Sequence, residues 1–154
     1  ALHWGMCMAV YPFFGGVAGV VGKLLRLQDQ IGTAQVQRRI REQLGERETV
    51  ARAARRIYRS FIDWKTLTES GAKGVYQKAA PVRISDPRLS AWLLECVLHA
   101  NGSVWTPIAA LDGHASLFPF ALGASGREVL REHPRLESMR HGLDQELVRL
   151  RSSV

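Results

Sequence analysis

Three features of the sequence predict a mainly α-helical fold carrying small β-hairpins. Apolar residues return at helical spacing over residues 33–44 and again over 49–64, with Gly45 between the two runs. Two strand-like runs, 65–69 and 74–78, flank Ser70-Gly71-Ala72-Lys73, a glycine-containing turn of hairpin length. Charge is the third feature. Nine Lys and Arg face four acidic residues between positions 33 and 65, a local +5 within a chain whose formal net charge is +7.

The first 32 residues read as apolar helices that complete the core or form a dimer interface. One helix covers 2–10; a second covers 17–28, with Val17, Val20, Val21, Leu24, Leu25 and Leu27 on a broad apolar face. From Trp4 to Gly22 no residue carries a formal charge, nearly the length of a bilayer span. Pro12, followed by Gly15 and Gly16, reads as a stop and restart, which favours two short buried helices over one span. A secretory signal is not indicated, because no basic segment precedes the run and no A-x-A site follows it. The chain opens with Ala1 rather than methionine, so its start is not read as a terminus.

Residues 33–84 form the central unit. Thr33 is placed to cap a helix reaching about residue 44, with Val36, Ile40 and Leu44 facing inward. Gly45 stops that helix, and a Gly45-Glu46-Arg47-Glu48 turn leads to Thr49 as the cap of a helix through about residue 64. Val50, Ala53, Ala54, Ile57, Phe61 and Trp64 share one face of this second helix. Arg52, Arg55, Arg56 and Arg59 gather on the other, with Asp63 at the end. The hairpin that follows carries Lys73 and Lys78, and Leu67, Val75 and Tyr76 can tuck under the helices.

Residues 85–154 repeat the pattern more faintly. Ser85 or Asp86 caps a helix over 87–100 that ends at Asn101-Gly102, a short helix lies near 107–111, and SLFPFAL is an apolar stretch. A capped helix over 125–133 precedes RLESMRH and ELVRLR, which pair as a second hairpin around Gly142-Leu143-Asp144-Gln145. This leaves room for a second unit of the same design in tandem.

The order helix, helix, glycine-containing turn, arginine-faced helix, hairpin resembles the winged-helix superfamily of DNA-binding helix-turn-helix proteins. It covers about a third of the chain, residues 33–80, and is a resemblance of pattern, since that superfamily has no fixed motif. It implies that the 49–64 helix enters the major groove while the 68–78 wing meets the adjacent backbone. The residues expected to touch duplex DNA are Arg38, Arg47, Thr49, Arg52, Arg55, Arg56, Arg59, Lys73 and Lys78. Seventeen of the 21 basic residues are arginine, the side chain whose fork fits phosphates and guanine edges.

Other chemistry finds no foothold. His3, His99, His114, His133 and His141 are scattered without metal-ligand spacing, and Cys7 and Cys96 have no CxxC partner and sit among apolar neighbours. GGVAGVVGK fails as a phosphate loop, with Val17 where a glycine is needed and Leu24 where Ser or Thr is needed. Asn101-Gly102-Ser103 reads as a helix end rather than a glycosylation acceptor. No catalytic constellation, cofactor, metal or small-molecule substrate is expected. The simplest role is a cytoplasmic bacterial transcription regulator, acting as a homodimer or with a protein partner. One alternative is a non-catalytic docking subunit of a restriction or phage-defence complex. A membrane-associated protein is the remaining one.

Overall fold

Pro12 begins a helix rather than interrupting one. In the computed structural model, which describes residues 1–102, 104–130, 133–142 and 145–151, α1 spans Leu2–Val10 and α2 spans Pro12–Leu27. Proline lacks only an amide that the first helical turn leaves unpaired anyway, so it suits this position. Gly15 and Gly16 lie inside α2, which corrects the expected restart at residue 17. The chain bends by 117° between the two helices, and among the described residues no single helix is long and apolar enough to cross a membrane.

The remaining elements follow in order. They are β1 (Gln30–Gly32), α3 (Thr33–Leu44), α4 (Glu48–Asp63), β2 (Leu67–Glu69), β3 (Val75–Lys78) and β4 (Val82–Ile84), then α5 (Pro87–Ala100), β5 (Thr106–Pro107) and α6 (Ile108–Leu111). A 3-10 turn at Ala115–Leu117 leads to β6 (Phe120–Leu122), α7 (Gly126–Leu130), β7 (Leu136–His141) and β8 (Gln145–Leu150). The fold is therefore mainly helical with small sheets, in keeping with the mainly α reading with small β-hairpins; the two three-stranded sheets are antiparallel. The end of the expected 125–133 helix at residues 131–132, and the turn residues 143–144, lie outside the described residues.

The chain divides into two compact units. One comprises Ala1–Gly15, Arg83–His114 and Phe120–Val154; the other comprises Gly16–Val82 and Ala115–Pro119. The divisions thus fall at different places from the 32/33 and 84/85 boundaries read from the sequence. The apolar segment 1–32 is shared between the two units.

In the unit built on residues 16–82, the buried apolar side chains include Val17, Val21, Ile31, Val36, Ile40, Phe61 and Leu67. Phe118 returns from the 115–119 segment to meet Phe61 edge-on at 5.7 Å between ring centres. The sheet runs β1-β3-β2, with Ile31 opposite Tyr76 and Thr68 opposite Gln77. β1 is too short for period-two patterning to reveal it in the sequence.

In the other unit, α1 packs on α5, closely enough that a Cβ on Gly5 would stand 2.7 Å from the Trp92 indole nitrogen. Trp4 meets Phe14 and Phe120 edge-on at 5.0 and 5.8 Å. Asp86 caps α5 by accepting from the Arg88 amide at 2.9 Å, and α5 ends at Asn101, as expected. The sheet runs β5-β8-β7. Both three-stranded sheets thus share one connectivity, in which the first strand of the set pairs with the last and the last with the middle one. In each unit, too, a helix precedes the first strand and helices separate it from the hairpin. β4 and β6 form a separate two-stranded pair.

Candidate nucleic-acid interface

The net charge of the chain belongs to one unit. Residues 16–82 and 115–119 contain thirteen Lys and Arg and six Asp and Glu, a balance of +7, whereas the other unit carries eight of each. Within the charged unit, α4 sorts its side chains by face. Ala51, Ala54, Tyr58 and Phe61 are buried. Arg52, Arg55, Arg56 and Arg59 are all exposed and line a shallow depression with Ser60 and Asp63.

The buried face is rotated from the one expected. Val50, Ala53 and Ile57 lie half-buried at its margins and Trp64 is 40% exposed, while Tyr58 occupies the centre. The reason is the sheet. Tyr76 on β3 receives the Tyr58 ring edge-on at 5.7 Å, and an aromatic pair of this kind adds about 0.5–1.5 kcal/mol to the apolar burial. Burial pushes the Tyr58 hydroxyl up to about 12, with the neighbouring Thr33 hydroxyl acting in the opposite sense, so the phenol stays neutral. Ala51 and Ala54 are buried in the core.

Neither predicted cap is a cap. Gly32 and Arg47 occupy the N-cap positions of α3 and α4, which places Thr33 and Thr49 inside the first turns. Thr49 and Arg47 remain exposed at the start of α4, while Thr33 turns to the hairpin. Its backbone N–H and its hydroxyl both donate to the Gly74 carbonyl, at 3.0 and 3.2 Å. Gly45 ends α3 with φ of 109°, in agreement with the expected stop.

The nine expected contact residues do not form one patch. Arg52, Arg55, Arg56 and Arg59 stand together. Arg38 lies in a second depression, on α3, with Arg41, Glu42 and Glu46. There Glu42 holds Arg39 at 2.9 Å and Arg38 at 3.8 Å, which neutralises much of that face. Lys73 is in the hairpin turn and Lys78 pairs with Leu67 at the open end, so the two lysines mark opposite ends of the hairpin. On α4 itself, Glu48 takes Arg55 at 2.9 Å. Among the described residues no carboxylate lies within ion-pair distance of Arg52, Arg56 or Arg59.

Glu48 as a partner for Arg55 was not legible in the sequence, because the two are seven residues apart, beyond the three- and four-residue spacings at which helical charge pairs are usually sought. Burial raises both thiols, as their apolar neighbours suggest, and with Glu95 adding to it pushes Cys96 up to about 12. No group of three His, Cys, Asp or Glu among the described residues is placed to hold a metal ion. Comparison with protein-family models, curated proteins and solved structures finds no match for this chain.

Proposed function

We propose that the protein binds duplex DNA, with α4 laid into the major groove and the β2–β3 hairpin against the neighbouring phosphates. The observation that carries this reading is the α4 surface, where three arginines with no carboxylate partner among the described residues sit on the outward side of a helix whose other side is buried in the unit holding the whole net charge. Guanidinium groups in such a row release condensed counterions from DNA, and a helix anchored by a buried face suits a groove about 12 Å wide. The element order and the β1-β3-β2 sheet support a winged-helix arrangement in this unit, and the matching β5-β8-β7 sheet supports a second one. The charge balance gives the two different roles. The charged unit grips DNA, as in a transcription regulator or the DNA-binding subunit of a larger complex.

The test is a fluorescence-anisotropy titration of random-sequence duplex at several salt concentrations, with Arg52, Arg55, Arg56 and Arg59 changed together to Ala in a parallel sample. Micromolar binding that weakens steeply with salt and is lost in the variant, whose circular dichroism is unchanged, supports the reading. Absence of binding at low salt overturns it.

A second reading, protein docking, draws on α1. Leu2, Met6 and Val10, one stripe of the helix, and Tyr11 just beyond its end are each more than half exposed, an apolar surface in the unit without net charge. A second copy of the chain is the occupant that fits a binder of paired half-sites. Light scattering across a concentration series, with Met6→Glu as control, decides it. A monomer at all concentrations removes this reading.

A further inference from the structure

The outward chemistry of α4 is narrower than general DNA affinity requires. Its exposed side chains are Glu48, Thr49, Arg52, Arg55, Arg56, Arg59 and Asp63. In the major groove, an arginine forks onto the O6 and N7 acceptors of guanine, and a carboxylate accepts from the N4 amine of cytosine. Adenine is read by the amide of Asn or Gln, and α4 presents neither. Thr49 alone is neutral between bases.

The arginines also differ from one another. Arg55 is held by Glu48 at 2.9 Å. Arg52, Arg56 and Arg59 fall at i, i+4 and i+7, one stripe of the helix, and span about 10 Å along its axis, the length of about three base-pair steps. Resting on the DNA-binding reading above, we infer that α4 is built to read a short guanine-rich tract, with Arg52, Arg56 and Arg59 as the specificity-determining residues. The wing lysines and Arg47 supply phosphate contacts that are indifferent to sequence.

The experiment uses the full chain and two duplexes of equal length, one with a central run of G·C pairs and one of A·T pairs only, titrated by anisotropy at one fixed salt concentration. The G·C duplex is expected to bind at least tenfold more tightly. Arg52, Arg56 and Arg59 changed together to Lys keep the charge but lose the planar fork, so affinity for the A·T duplex is retained while the preference falls below about threefold. Equal affinity of the unaltered protein for the two duplexes overturns the inference and leaves DNA binding standing. Loss of binding to both at low salt overturns the DNA reading itself.

Discussion

Thr33 joins the first turn of α3 to the hairpin by giving two hydrogen bonds to a single carbonyl, that of Gly74. This doubly bonded oxygen fixes the base of the 70–74 turn against the helix that follows β1. Thr33→Val keeps the backbone bond and removes only the hydroxyl. Stability is expected to fall by about 1 kcal/mol, the net worth of one such bond. Amide exchange over residues 71–75 should quicken more than exchange in α3. Equal protection in both proteins would show that the backbone bond alone holds the turn.

Two glycines on α2 should respond oppositely to alanine. A Cβ on Gly22 would lie far inside van der Waals contact with the Ala115 carbonyl oxygen, a backbone atom that can yield only by moving the 115–119 segment. Gly19 has nothing within 4 Å of the same position. Gly22→Ala is expected to destabilise by about 2–3 kcal/mol through overpacking, and Gly19→Ala to stabilise by about 0.5–1 kcal/mol through helix propensity. Urea denaturation of the two variants separates these effects.

Glu95 is a buried carboxylate in the middle of an apolar helix, 1% exposed, with Arg135 at 3.0 Å, His133 at 3.5 Å and His99 at 3.6 Å. Arg135 itself is 65% exposed, so the cost of desolvation falls almost wholly on the carboxylate. Removing the arginine should therefore hurt more than removing the acid. Arg135→Ala is expected to cost about 2–3 kcal/mol, below the full penalty of an isolated buried charge because two imidazoles remain, whereas Glu95→Met should be close to neutral. A larger loss for Glu95→Met, measured by denaturant unfolding, would give the carboxylate a structural value beyond its ion pairs.

Glu48 restrains Arg55 and also places a negative charge at the proposed DNA surface. An ion pair so exposed contributes little to folding, so Glu48→Gln should leave stability within about 0.5 kcal/mol of the original. Affinity for duplex DNA should rise about two- to fivefold at low salt, and the gain should shrink as salt screens it. Unchanged affinity would place the 48–55 side of α4 away from the phosphates.

The helices and hairpins were legible because they depend on near neighbours. Gly45, Asp86 and Asn101 act within a few residues of where they stand, and the apolar spacing of α3 needs no distant partner. The arginine row was legible for the same reason. What the sequence could not show depends on contacts remote along the chain. Tyr58 is drawn inward by Tyr76, Thr33 by Gly74, and the Arg55 charge is tempered by a carboxylate two turns away. The strand β1 has three residues and no alternation, so only its pairing with β3 defines it. The unit boundaries were hidden because the chain passes back into the core of residues 16–82 at 115–119.

That return has a consequence for how the protein is made. Phe118 and Leu117 are buried parts of a unit whose other residues end at Val82, so this core lacks a piece until the ribosome has released more than thirty further residues. A nascent chain stopped at residue 82 would expose Phe61 and the groove beside Gly22 that the later segment fills. The arginine-bearing helix thus reaches its final anchorage late in synthesis, and a contiguous fragment cut at 82 is not equivalent to the finished unit.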